Sequence, residues 1–551
     1  MAGPLENPFY YLENFHTVLA WIRERYSDLL TPGELEFIAR FTALPQASRA
    51  LMVRMVMRKG DFFRASKLNY AEIGDTREAA RALIDNGWID EQPLLTLEQL
   101  FALLKKNEIA EVFGPLLPKT SLRKSEQFEL LNAQLGRARV FSDWYPHSGD
   151  CVFQVGITDL CDRLRLMFFG NFSQDWSEFV LSDLGIFKYE KVAFSNASRG
   201  FRTRQDVDDY LQLHRCRERF YEGDAPQEIL KELPASVLEN DWLESRRAKF
   251  VFQVGQHYEQ IDALQDALAI YDECAYPGAR IRAIRVRERC AQFEAAFTLA
   301  QAAQQMPESE AEKQQLLRIM PRLHRKLGKP KIPARASVPP MRLDLTLCQP
   351  ETAYFVEGLV RDHLSLQQTD AHVHYVENAL INSLFGLLCW EAVFSAVPGA
   401  FFHPFHRAPA DLLSPDFHRR RSQLFADCLA QLDSQQYKTT IMKNFGEKMG
   451  IQSPFVFWGS LSEQLLALAL DCLPAAHLKK WFERMLLDIK SNRTGFPDLI
   501  LFWPREKRYQ MIEVKGPGDR LQDNQIRWLD YCAANGMPVT VCYVQWAESA
   551  A

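Results

Sequence analysis

The eleven cysteines include no C-x-x-C pair and follow no zinc-ligand or disulfide-framework spacing. An odd, scattered set in a long chain is expected to be reduced core residues of a cytosolic protein. No apolar run is long enough to span a bilayer: the longest, Ala379 to Phe394, is broken by Asn382 and Glu391. The first fifteen residues carry neither a cationic stretch nor an apolar one, so no secretory leader is expected. An excess of positive charge is missing as well. Lys and Arg total 65 against 70 Asp and Glu, a net charge of −5, and residues 351–551 hold 19 basic and 22 acidic side chains. This excludes a surface of uniform positive charge but leaves room for local basic patches.

What is present is an ordinary globular composition, 47% hydrophobic and 25% charged, over 551 residues, too many for one core. Up to about residue 320 the pattern is helical. Phe15, Val18, Leu19 and Ile22 form one stripe, and Leu95 to Leu104 repeats the period, with Thr96 as its cap and Lys105 and Lys106 expected at its C-terminal end. Residues 151–194 read as less regular and rich in aromatics. Gln265 to Tyr271 and Phe293 to Leu299 look like two copies of a small-residue helix offset by 28 residues, with Tyr276-Pro277-Gly278 as a breaker, which points to a tetratricopeptide-like solenoid segment. Four prolines among basic residues mark Lys326 to Pro340 as an extended linker. A helix is expected from His374 to about Phe394, then an irregular aromatic-rich stretch and two apolar helices, Leu461 to Leu473 and Ala475 to Ile489. Leu499 to Trp503 and Arg508 to Val514 read as a strand hairpin, followed by a helix from Leu521 to Asn535 and a last strand from Val539 to Gln545.

The chemistry is concentrated in Gly495-Phe-Pro-Asp498 and, fifteen residues after that aspartate, Glu513-Val-Lys515. Strand alternation sends Glu513 and Lys515 to one face, and the hairpin brings Asp498 alongside. Two buried carboxylates repel unless one protonates or a cation joins them. A hard divalent ion with oxygen ligands, Mg²⁺ or Mn²⁺, resolves that conflict and suits phosphodiester hydrolysis, with Lys515 offsetting developing negative charge.

Gly495-Phe-Pro-Asp498-Leu-Ile, Ile512-Glu-Val-Lys515-Gly-Pro-Gly-Asp519-Arg-Leu521, Gln525 and Trp528 together resemble the VRR-NUC branch of the PD-(D/E)XK nucleases. Within it, residues 169–190, Phe9 to Phe15 and Val53 to Tyr70 are similar to the Fanconi-associated nucleases, so the resemblance covers nearly the whole chain. It implies a multidomain, mainly α protein: an N-terminal helical DNA-binding domain (1–90), a SAP-like region (91–200), a tetratricopeptide-like segment and linker (201–340) and an α/β restriction-endonuclease-like nuclease domain (341–551). It also implies 5′-flap endonuclease and 5′–3′ exonuclease activity on branched DNA, in interstrand-crosslink repair, in a compact bacterial, nucleoid-associated form without a ubiquitin-binding module. The implied metal ligands are Glu377, Asp498, Glu513 and the Val514 backbone carbonyl, with Asp498, Glu513 and Lys515 catalytic and Gln525 supporting. Glu377 lies in Val376-Glu-Asn-Ala-Leu380, the segment that matches the family's catalytic helix; Glu391 lacks that flank. His372 and His374 read as structural.

The basic stretches expected to hold DNA are residues 44–68, with Arg54, Arg58 and Lys59, the SAP-like segment with Lys105, Lys106, Lys119, Arg123 and Lys124, and residues 275–345, where 14 basic face 6 acidic side chains and Arg280 and Arg282 open the run. Nothing resembles a groove-reading helix, so recognition by DNA shape is expected. A Holliday-junction resolvase or a non-catalytic DNA scaffold are the alternatives, and the oligomeric state is open between a monomer and a DNA-induced dimer.

Overall fold

The computed structural model describes all residues except 1–6, 120–121, 177, 180–184, 235–236, 334–338, 351–354 and 548–551. Part of the 169–190 stretch and the centre of the expected linker thus lie outside the described residues. The chain forms two compact units, residues 1–186 with 201–208, and residues 187–200 with 209–551.

In the first unit the helix Tyr10–Tyr26 buries Phe15, Val18, Leu19 and Ile22, the stripe expected from their spacing. The helix Pro32–Ala43 starts where chemistry demands: Thr31 accepts from the Glu34 N–H, Glu34 accepts from the Thr31 N–H, and proline occupies the first turn. Residues 152–169 are more regular than expected. β3 (Val152–Val155) pairs antiparallel with both β1 (Phe62–Arg64) and β2 (Ile89–Asp90), and the helix Thr158–Phe169 follows. Its aromatics pack as a cluster, Phe168 on Phe179 and Phe169 on Trp176, with Trp176 against Phe15. Thr96 and Gln99 form the capping box of the helix Leu97–Leu103. Lys105 and Lys106 do not end that helix: Lys105 caps and Lys106 begins the next one, Lys106–Phe113, at the end where a helix dipole disfavours cations. Glu108, in that first turn, accepts from the Lys105 N–H and supplies the opposing charge.

In the second unit five helices, Asp241–Gln260, Leu264–Glu273, Ala279–Arg289, Phe293–Gln305 and Glu310–Lys326, stack in succession as antiparallel-type pairs over two small cores. Tyr276-Pro277-Gly278 breaks the chain between the second and third. The nuclease-like part is built on a five-stranded sheet in the order β4-β8-β7-β6-β5, where β4 is Met341–Leu347, β5 His372–Tyr375, β6 Leu499–Trp503, β7 Arg508–Lys515 and β8 Val539–Trp546. β4, β8 and β7 run parallel; β7, β6 and β5 alternate. The hairpin, the helix Asp523–Ala534 and the last strand stand as the patterning indicates. Both outer strands differ from it. The residues after the prolines form β4, and the expected helix from His374 is instead β5, a turn and the helix Leu380–Leu388, because Asn378 adopts a left-handed backbone (φ 50°) that no α-helix continues through. The irregular stretch before Leu461 contains the helices Ser422–Ala430 and Gln436–Glu447.

One face of the sheet packs on the helix Val356–Gln367 through Val360, Leu364, Leu499 and Val514. The other packs on the larger helical core through Ile500, Phe502, Met511 and Trp528.

Candidate active site

The register places three strand ends together. Tyr375 at the end of β5 faces Leu499 at the start of β6, Leu499 faces Ile512 of β7, and Glu513 faces Val541 of β8. Asp498 immediately precedes β6, and its carbonyl accepts from the Val376 N–H at 2.8 Å, extending the β5–β6 pairing by one step. Asp498, Glu513 and Lys515 therefore share one end and one face of the sheet.

Around them the motif residues have identifiable jobs. Phe496 stacks on Trp528 with ring centroids 4.1 Å apart, and the Trp528 indole N–H donates to the Asn492 carbonyl. Gly495 (φ 95°) lies so close to the helix Asp523–Ala534 that a Cβ there would meet the Asn524 backbone carbon at 2.7 Å. Asn378 Oδ1 accepts from the Gly495 and Phe496 N–H groups at 2.8 and 3.2 Å, which ties the β5 turn to the Pro-Asp segment. Gln525 sits in the first turn of its helix and accepts from the Gln522 N–H. Asp519 closes the glycine turn after Lys515 by accepting from the Gly516 N–H.

The electrostatics are unusual for side chains so deep. Glu513 is 0% exposed, Asp498 5% and Lys515 7%. Asp498 Oδ2 accepts from the Val514 N–H at 2.8 Å, and Lys515 Nζ stands 2.8 Å from Glu513 Oε1. Glu513 Oε2 is buried without a hydrogen-bond partner. Burial pushes both carboxyls well above the ordinary carboxylate range; Asp498 is raised further by Glu357 and Glu377, and Glu513 by Asp498 and Glu377. Orphaned carboxylate oxygens of this kind fit a hard cation, because its positive charge replaces the stabilisation by water that burial has removed.

The expected ligand Glu377 is exposed on the β5 turn rather than within a helix. Its Oε2 accepts from the Tyr375 hydroxyl at 2.5 Å and its Oε1 from the Asn378 amide at 3.2 Å. Among the described residues no three His, Cys, Asp or Glu side chains already surround one point. Asp498 and Glu513 are the close pair, and Glu377 acts on both through its field. Glu391 lies in the short helix Trp390–Val393, beyond the helix Leu380–Leu388. Two members of the neighbourhood escaped the sequence reading: Glu357, in the first turn of the helix Val356–Gln367, and Tyr375. The missing signal was β5 itself, since without that strand neither residue has a place beside Asp498.

Three family models match: the "FAN1, HTH domain" over residues 9–90, the "Fanconi anemia-associated nuclease SAP domain" over 94–144 and the "VRR-NUC domain" over 432–546. The Fanconi-associated nuclease 1 homolog of Pseudomonas aeruginosa is 55% identical over 98% of this chain and 97% of its own length. The chain belongs to the Fanconi-associated nuclease family. It is a nuclease with the VRR-NUC catalytic domain. A solved structure of paFAN1 bound to 5′-flap DNA with a 2-nucleotide flap and a gap is 54% identical, covers 99% of this chain and 100% of the other, and has a TM-score of 0.93. A second, with a 1-nucleotide flap, has a TM-score of 0.91 at 55% identity, over 98% and 100%. The VRR-NUC match begins after Glu357, Tyr375 and Glu377, so the neighbourhood of the buried Asp498–Glu513 pair is completed from residues upstream of the matched domain.

The residues expected to hold DNA differ in exposure and in their internal partners, and Arg58, although exposed, donates to the Lys67 carbonyl at 3.4 Å. Arg54 is paired with Glu72 at 2.7 Å and covered by Tyr11 and Tyr70. Lys124 donates to the Leu104 carbonyl, Arg280 is paired with Glu312 and Arg282 faces Glu259 at 3.4 Å. Arg58, Lys59, Lys105, Lys106, Lys119 and Arg123 are exposed. Among the described residues no helix is long and apolar enough to cross a membrane.

Proposed function

We propose that this nuclease incises DNA near the 5′ end of flaps and branches and trims it in the 5′–3′ direction, in the repair of interstrand crosslinks, within the bacterial cytoplasm at the nucleoid. The observation that carries the reading is the buried Asp498–Glu513 pair with an adjacent ammonium at one end of the sheet, in a chain that shares its whole length with proteins held on flap DNA. Mg²⁺ or Mn²⁺ would be held by Asp498, Glu513 and the Val514 carbonyl, with Glu377 as the third carboxylate. When bound, such a cation supplies Lewis-acid polarisation of the phosphodiester and makes water easier to deprotonate.

The chain's own residues do the rest. The Val514 N–H fixes the Asp498 carboxylate, and the Asp498 carbonyl fixes the start of the β5 turn, so the ligand-bearing segments cannot drift apart. Lys515, buried with its ammonium against Glu513, places a positive charge where the scissile phosphate gains negative charge. The exposed cations Arg58, Lys59, Lys105, Lys106, Lys119 and Arg123 serve as phosphate contacts of the N-terminal and SAP-like modules, indifferent to sequence. Arg54, Lys124, Arg280 and Arg282 contribute less, because each is half-buried against its internal partner.

Labelled 5′-flap, four-way-junction and linear duplex substrates, each with Mg²⁺ or with EDTA, test the reading. Metal-dependent cutting of the flap is expected, with Asp498→Asn and Lys515→Ala each lowering it at least about 100-fold. Preferential junction cutting would make the protein a resolvase, and unimpaired flap cutting by either variant would remove those residues from the active site.

A further inference from the structure

Beside the carboxylates lies an exposed pair of rings that the hydrolytic chemistry does not use. Phe355 and Tyr375 meet edge to face, centroids 5.6 Å apart at 78°, yet they remain 52% and 39% exposed. Both are held in place. Phe355 precedes the helix Val356–Gln367 and lies across Gly358, where a Cβ would come within 2.5 Å of its Cε1, so the glycine provides the clearance for the ring. Tyr375 is fixed by its hydroxyl, which donates to Glu377. One turn along the same helix face from Glu357 stands Arg361, half-exposed and paired with the exposed Asp362 at 2.7 Å. Arg361, His374, Tyr375 and Ser460 line a hollow of about 500 Å³, and His374 Nε2 is buried there without a hydrogen-bond partner. Tyr375 belongs to both features and links them to the catalytic carboxylates.

We infer that this edge of the sheet is a nucleotide subsite for the strand being cut: the Phe355–Tyr375 pair stacks the base next to the scissile phosphate, and Arg361 with His374 and Ser460 receives that nucleotide's outer phosphate in the hollow. The inference rests on the nuclease reading of Asp498 and Glu513. A π-face of fixed orientation beside a hollow lined by guanidinium, imidazole and hydroxyl donors matches a nucleotide, which presents a flat base and an anionic phosphate on one backbone unit. Stacking accepts every base, so the subsite gives position without sequence preference.

Steady-state cleavage of a 5′-flap substrate by the full-length protein, combined with fluorescence of 2-aminopurine placed next to the cut site with metal withheld, tests this. Phe355→Leu, which keeps apolar cover over Gly358 but removes the π-face, is expected to raise KM about tenfold with kcat within about twofold, and Phe355→Trp to restore it. Wild-type protein quenches the 2-aminopurine and Phe355→Leu does not. Arg361→Gln is expected to raise KM and to reduce the salt slope by about one phosphate contact. If wild type cuts the flap while Phe355→Leu and Arg361→Gln keep its KM, and quenching is unchanged, there is no subsite here. If Phe355→Leu loses the cooperative thermal transition of wild type, the ring is part of the fold and the inference is equally overturned. If wild type cuts no flap at all, it is the reading of the catalytic pair and its substrate that fails.

Discussion

Single carboxylates in this protein show how environment sets role. Glu34 is buried, accepts from Arg163 at 2.9 Å and Arg204 at 2.7 Å, and caps its helix. Burial alone would raise its pKa, but the Arg204, Thr31 and Arg163 hydrogen bonds outweigh it and hold the carboxyl below its ordinary value. Its stabilisation is therefore present above the ordinary carboxylate range and is lost as pH falls through the depressed value. Glu34→Gln leaves two guanidiniums short of a counter-charge and is expected to cost about 3 kcal/mol in urea unfolding at neutral pH. Asp498 and Glu513 have the opposite sign. Their folded-state values are raised, so metal-free protein keeps their contribution below the ordinary carboxylate range and loses it as pH rises toward neutrality and above. Thermal unfolding in EDTA is expected to show that decline. Glu513→Gln should flatten it, and Mg²⁺ should raise Tm more in wild type than in the variant; a pH-independent Tm for wild type in EDTA would contradict the burial argument.

At the level of elements, the site depends on a few backbone positions. Gly495 combines a left-handed φ with backbone contact to the helix Asp523–Ala534, so Gly495→Ala must push that helix and the Pro-Asp segment apart. Flap cleavage is expected to fall at least about tenfold with a lowered Tm, since displacements near 1 Å at reacting groups carry such losses. Asn378 plays the complementary part on the other side, and its positive φ explains why the helical reading of His374 to Phe394 failed. Val376, Leu380 and Leu384 do keep helical spacing, but the chain enters the helix only after a left-handed residue, and the residues before it pair with β6. β4 was hidden for a different reason. Its residues alternate between exposed and half-buried as an edge strand, so no continuous apolar run separates it from the prolines before it.

Across the whole molecule, the sheet that carries Asp498 and Glu513 extends beyond the matched VRR-NUC domain. A fragment of residues 432–551 contains Asp498, Glu513 and Lys515 but lacks both edge strands, the helix Val356–Gln367 and Glu377. It would expose the inner strands on both sides and is expected to be insoluble or inactive on flap DNA; a soluble, active fragment would show that the upstream carboxylate and strands are dispensable. The helical stack is also joined to the nuclease part. Arg318 pairs with Asp523, and Gln314 accepts from Arg527 at 2.6 Å, on the helix that backs Phe496. The sequence by itself determined the local terms: the hairpin, the side of β7 that carries Glu513 and Lys515, the Thr96 cap and the motif from Gly495 to Trp528, because these depend on residues close to one another along the chain. Only the tertiary structure decided which charges are already spent. Arg54 meets Glu72 and Arg280 meets Glu312, partners 18 and 32 positions away. The same holds for the company Asp498 keeps, since Glu357 and Tyr375 reach it only once a strand more than a hundred residues upstream has paired with β6. Pairing and desolvation are properties of the folded surface, and charge that is counted along a chain carries no information about either.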